Sequence, residues 1–123
     1  MSMRKIVVGL VEPVKIKGTR DEVVVLGKFD TGAQRTSIDK RIADKVGAKP
    51  IGKVDTHNVH GKTTRPVANF EIEVKGKRLN VKANISDRSS RKFKVLLGRD
   101  IIYGNFVIDI TKSHKSHRLS DLR

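Results

Sequence analysis

The chain has 123 residues, 27 lysines and arginines against 13 aspartates and glutamates, and no cysteine. That length suits one domain with a real core and is too short for two, while the missing cysteines exclude disulfides and thiolate metal ligands. The formal charge of +14 creates a field that gathers polyanions, so nucleic acid and acidic polypeptide both qualify as partners; the plainer reading is that the lysines only solvate the surface.

In chain order, residues 4–11 read as a first strand, and Pro13 to Lys17 continue it or begin another after a break at Glu12-Pro13. The opening apolar run, Ile6 to Val11, is shorter than a signal-peptide core needs. No segment is long and apolar enough to span a bilayer, so no membrane association and a cytoplasmic location are expected. Gly18 to Asp21 form a turn. Glu22 to Lys28 are the next strand, whose consecutive Val23, Val24, Val25 and Leu26 predict burial on both faces. Ile38, Ile42 and Val46 recur at helical spacing, with Ser37 or Asp39 as the cap and Gly47 as the terminator.

A strand is predicted between Pro50 and Val59, then a hairpin tip around Gly61. Ala68, Phe70, Ile72 and Val74 alternate with polar residues, as do Leu79, Val81, Ala83 and Ile85 with Asn80, Lys82 and Asn84. With Lys75-Gly76-Lys77 between them, these are a hairpin with one buried face. Ser86 to Lys94 are a charged loop, Val95 to Leu97 a buried strand, Asp100 to Tyr103 a brief helix closed by Gly104, and Phe106 to Ile110 the last strand. The predicted fold is mainly β: a small closed barrel with one or two short helices over residues 1–111. Residues 112–123 read as a basic tail.

The chemistry concentrates at Asp30-Thr31-Gly32-Ala33, where an apolar strand ends in a carboxylate. Protein interiors reject a carboxylate unless hydrogen bonds or a partner charge hold it, so Asp30 either caps a turn or works. The histidines form two i,i+3 pairs, His57/His60 and His114/His117. His57 and His60 are weak candidates for a metal, but surface histidines without metal are the better reading, and no cofactor is expected. No phosphate-cradling Gly-x-x-x-x-Gly-Lys-Ser/Thr loop occurs, so nothing supports ATP hydrolysis.

Lys28-Phe29-Asp30-Thr31-Gly32-Ala33, Thr36-Ser37, the run from Asp87 to Arg99 containing Val95-Leu96-Leu97-Gly98-Arg99, and Phe106 to Asp109 together resemble the retropepsin-like aspartic peptidases. The wording is closest to small prokaryotic proteins labelled ATP-dependent zinc peptidases. The resemblance implies a closed retropepsin-like barrel and an aspartic peptidase. One Asp-Thr-Gly per chain then requires a homodimer, because carboxylate catalysis of peptide hydrolysis needs two carboxyls sharing a proton.

On this reading Asp30 is catalytic, Thr31 holds the paired loops rigid, and Gly32 lets backbone and substrate approach. Ala33 keeps the floor small and Arg99 braces the loop. The tip at His60 and Gly61 is a flap over an extended peptide. Members of the same branch are associated with ligases that add glutamate tails to proteins, which makes a glutamate-rich tail a candidate substrate. Gln34-Arg35 stands where viral members carry acidic residues, and Lys28 should face the same side as Asp30. The other reading is a catalytically silent module of this fold that binds nucleic acid or acidic protein through its basic surface.

Overall fold

The fold was obtained as a computed structural model, which describes residues 4–59 and 61–112. Its elements are β1 (Ile6–Val8), β2 (Val11–Lys17), β3 (Glu22–Phe29), β4 (Ser37–Asp39), α1 (Lys40–Val46), β5 (Gly52–Asn58), β6 (Gly61–Val74), β7 (Lys77–Ser86), β8 (Val95–Leu97), α2 (Arg99–Ile102) and β9 (Phe106–Ile108). Strands β2, β3, β8, β4, β7 and β6 pair in that order, and β6 pairs back onto β2 through Ile16↔Ile72 and its neighbours. This closes a six-stranded barrel, the mainly β architecture with two short helices that the sequence predicts, and its closure leaves the ring no free edge to template aggregation. Strand β5 hangs on β6 outside the ring, and β1 and β9 form a separate parallel ribbon.

The barrel fills with side chains from the inward face of each strand. Val14, Ile16, Phe29, Ile38, Ile72, Val95 and Leu97 are fully buried, each contributing about 1.5–3 kcal/mol by removal from water. Phe29 meets Phe106 with ring centroids 5.4 Å apart and planes tilted by 60°, an arrangement that suits the aromatic quadrupoles. The β6–β7 hairpin turns on Lys75 and Gly76, at φ 48° and 81°, between the paired Val74 and Lys77. Positive φ at both central residues matches the twist of the flanking strands.

Several sequence expectations change in detail. Pro13 lies inside β2, and the break between the first strands falls at Gly9-Leu10. There the buried Glu12 carboxylate accepts from Gly9 N at 2.7 Å. Val24 is 62% exposed, so β3 is not buried on both faces as its apolar run suggested; β2 and β8 flank it edge to edge and cover neither face there. Ile38 belongs to β4, and α1 starts after Asp39, whose carboxylate accepts from Arg41 N at 3.2 Å. Gly47 ends the helix at φ 79°. The last strand stops at Ile108 rather than Ile110. His60, His114, His117 and residues 113–123 of the expected tail lie outside the described residues.

Candidate active site

Strands β3 and β8 run parallel, with Gly27, Lys28 and Phe29 opposite Val95, Leu96 and Leu97. Both end at the same level, which places the Asp-Thr-Gly loop beside Gly98. Asp30 N donates to Leu97 O at 2.8 Å and Asp30 O accepts from Ala33 N at 3.1 Å, so a tight turn holds the aspartate at the strand end. One carboxylate oxygen, Oδ1, accepts from Gly32 N at 2.8 Å. Among the described residues no hydrogen bond reaches the other, which leaves it available to solvent or a ligand. A Cβ on Gly32 would stand 3.1 Å from Asp30 Oδ1, so a larger residue there would push that oxygen aside by a few tenths of an ångström.

The second apolar segment braces the loop from below. Arg99 donates from Nη1 to Thr31 O at 3.0 Å and from its backbone N to Ala33 O at 2.8 Å. Asp100 N donates to Gln34 O at 3.2 Å. The Asp100 carboxylate in turn accepts from Thr36 N at 2.9 and 3.0 Å and from Thr36 Oγ1 at 2.8 Å, and Gly98 N donates to Thr36 Oγ1 at 3.2 Å. Thr36 is completely buried. Gly98 sits so close to the loop that a Cβ there would lie 2.6 Å from the Arg35 carbonyl carbon. The loop is thus clamped by α2 at both of its ends.

Two cavities flank the motif. One, of about 450 Å³, is lined by Leu10, Lys28, Phe29, Asp30, Thr31, Ile108 and Ile110, so Lys28 and Asp30 do share a side, as strand alternation requires. The other, of about 410 Å³, is lined by Gly32, Ala33, Gln34, Arg35, Asp55, Asn84 and Arg99. Asp55 comes from β5, so the middle of the β5–β6 hairpin reaches the loop. Gly61, at φ 115° opposite Asn58, lines neither cavity. His57 lies in β5. Among the described residues no group of three or more His, Asp or Glu side chains could share a metal ion.

Sequence reasoning missed three participants. The Thr36–Asp100 clamp joins residues far apart in sequence. Asn84 falls on the polar side of the β7 alternation, yet the loop of residues 30–36 covers it and it is only 8% exposed. Arg88 looked like one charge among many in the loop of residues 87–94. Its N donates to the buried Asp39 carboxylate at 2.7 Å and its Nε to Phe93 O at 3.0 Å. Burial pulls its guanidinium below the usual value and the charge of Arg91 pulls the same way, with Arg65 adding to them; Asp39 and, more weakly, Asp30 oppose the shift.

A closed six-stranded barrel that presents Asp-Thr-Gly at the end of paired β3 and β8 has the form of an aspartic peptidase of the retropepsin kind. The sequence profile of the aspartyl protease family matches residues 12–101, and the chain belongs to that family. Among solved structures it is similar to a Legionella pneumophila protein of unknown function, 22% identical, covering 93% of this chain and all of that one with a TM-score of 0.61. It is also similar to the simian foamy virus (mac) protease, at 20% identity over 75% of this chain and 90% of the viral one, TM-score 0.54. EIAV protease, solved with the inhibitor HBY-793, matches at 20% identity over 75% and 83%, TM-score 0.56. These likenesses establish the retropepsin-like fold, and they lend no support to the zinc-peptidase label. No curated protein matches the chain.

Proposed function

We propose that the protein is an aspartic peptidase that works as a homodimer, with one Asp30 from each chain forming the catalytic pair. The observation that carries this is the state of the Asp30 carboxylate: one oxygen is fixed by Gly32 N, and the residue opens onto a cavity walled by Leu10, Ile108 and Ile110. Ile110, exposed and lining that cavity, supplies apolar surface suited to a second copy. Two such carboxyls close together cannot both ionise, so one is charged and one protonated.

The charged Asp30 takes a proton from water as the water oxygen bonds to the scissile carbonyl carbon, and the protonated Asp30 gives its proton to the carbonyl oxygen. The tetrahedral intermediate then breaks its C–N bond as the leaving nitrogen receives the proton that the first Asp30 took from water, and one hydroxyl of the diol returns its proton to the other Asp30. Thr31 and Arg99 hold the loop, Gly32 and Ala33 line the floor, and the hairpin carrying His60 and Gly61 closes over the peptide.

Arg35 and Arg99 line the second cavity beside the motif, and this cationic wall in a chain of formal charge +14 favours a glutamate-rich tail as substrate. The test is incubation of wild-type protein and Asp30→Asn with an oligoglutamate-tailed protein and a general peptide library from acidic to neutral pH, with sedimentation to read the dimer. Cleavage by the wild type should fall at least about 10³-fold in Asp30→Asn; cleavage that survives the substitution removes Asp30 from the chemistry. The same arginine crowding favours a second reading, a silent module that binds nucleic acid or acidic protein. That reading predicts strong, salt-dependent retention unchanged by Asp30→Asn.

A further inference from the structure

Asn84 is the one described residue with a buried side-chain polar atom that has no hydrogen-bond partner: its Oδ1 accepts from nothing. Its backbone is fully engaged, with N donating to Thr36 O at 2.9 Å and with Val67 and Ser37 as its strand partners. The orphan atom is therefore a property of the side chain and not of a frayed strand. Leaving such an acceptor without a donor costs roughly ten- to a hundredfold in an equilibrium constant, a cost that a leucine of similar size would avoid.

The surroundings narrow what the missing donor is. Asn84 lines the cavity of about 410 Å³ that also contains the Gly32 and Ala33 end of the Asp-Thr-Gly loop. Arg35, Arg99 and Gln34 contribute donors to its wall. Its carboxylate, Asp55, is occupied by Lys62 at 3.2 Å and Thr64 at 3.0 Å. A carboxylate entering here finds donors in surplus but leaves Asn84 Oδ1 unpaired, and an apolar group leaves it unpaired as well. A carboxamide offers an N–H to Oδ1 while its own oxygen accepts from Asn84 Nδ2 or a guanidinium. The soft terminal torsion of Asn84 lets the amide turn toward such a group.

We propose that Asn84 is a specificity-determining residue, and that this cavity receives a substrate side chain ending in a carboxamide, that is glutamine or asparagine, paired amide to amide with Asn84. The proposal rests on the cleft being a peptidase's substrate site, and adds that one position of the bound peptide is read by a neutral amide and not by charge.

The experiment separates the two. Asp30→Asn protein, which keeps the peptide intact, is titrated calorimetrically with glutamate-rich peptides in which each position in turn is Gln, Glu or Met. At one position Gln should bind about tenfold or more tighter than Met, and Asn84→Leu in the same background should abolish or invert that ratio. Thermal unfolding of Asn84→Leu should match or exceed that of the parent, as expected of an amide not retained for folding. If the leucine variant does not fold, Asn84→Asp, which keeps an acceptor, should retain the preference for Gln over Met.

Equal binding of Gln and Met peptides, no binding at millimolar peptide, or a ratio unchanged by the substitution overturns the proposal. Wild-type protein is assayed for cleavage of the same peptides. Discrimination without cleavage keeps the amide subsite and removes the peptidase; cleavage without discrimination does the reverse.

Discussion

Replacing Thr36 by valine tests whether the clamp beneath the candidate site is energetic or merely geometric. Valine has nearly the same shape, so the completely buried position stays filled, but two hydrogen bonds go. Thr36 Oγ1 donates to the Asp100 carboxylate at 2.8 Å and accepts from Gly98 N at 3.2 Å. The first is charge-assisted, but Asp100 is exposed and solvent screens it, so about 1 kcal/mol is assigned to it. The second leaves a buried N–H without a partner, at about 1–3 kcal/mol, and the added methyl returns about 0.8 kcal/mol. The net expectation is a loss of about 2 kcal/mol, read as a fall in Tm of roughly 6–10 °C for a domain of this size.

Urea denaturation of the wild type, Thr36→Val, Asp100→Asn and the double variant measures it, with an unchanged m-value confirming that stability alone has moved. The two substitutions should couple by about 1 kcal/mol. A loss below about 0.5 kcal/mol, or strict additivity, refutes the clamp as an energetic feature.

Gly98→Ala should destabilise by at least about 2 kcal/mol and depress any cleavage more than Thr36→Val does, because its Cβ would lie 2.6 Å from backbone of the loop carrying Asp30; wild-type-like melting would contradict the packing described. Asp87 is held down to about 2 by the side-chain and backbone donors of Ser89. Its contribution to stability is therefore full above about pH 4 and fades as pH falls through 2. An NMR titration should find its carboxyl near 2 and return it toward 4 in Ser89→Ala, where the side-chain bond is gone. Ile110→Lys, at a 63% exposed apolar position beside the Asp30 cavity, should leave Tm of the dilute monomer within a few degrees while shifting sedimentation from dimer to monomer; an unaffected dimer would place the interface elsewhere.

What the sequence reveals follows the range of the forces involved. The β6–β7 hairpin was legible because alternation and a Lys-Gly turn are local, and so was α1, announced by Asp39 and Gly47. The candidate site was legible as a string because Asp30, Thr31, Gly32 and Ala33 are consecutive. Val24 misled because an apolar run marks a strand without saying whether anything covers its outer face; here none of the described residues does, and Val24 stays exposed. Pro13 looked like a break, but β6 pairs with β2 only at Lys15 to Lys17, so at Pro13 one edge of the strand has no ladder to which an N–H would be owed.

Thr36 with Asp100, and Asn84 with the loop above it, were invisible for another reason. Each joins segments separated by roughly half the chain, and neither residue type carries a periodicity that names its partner. Arg88 was hidden by its company: in a loop with Arg91, Lys92 and Lys94, nothing in the sequence marks it as the residue whose backbone N donates to Asp39 and whose guanidinium donates to Phe93 O.

The parallel ribbon of β1 and β9 sets Ile6 opposite Phe106, and the cavity beside Asp30 draws its far wall from Ile108 and Ile110. During synthesis, β1 and the Asp-Thr-Gly turn emerge long before the segment that completes them. A chain still short of residue 106 lacks both the strand that pairs with β1 and the wall that encloses Asp30, so this cavity can form only after nearly all of the described residues have been made.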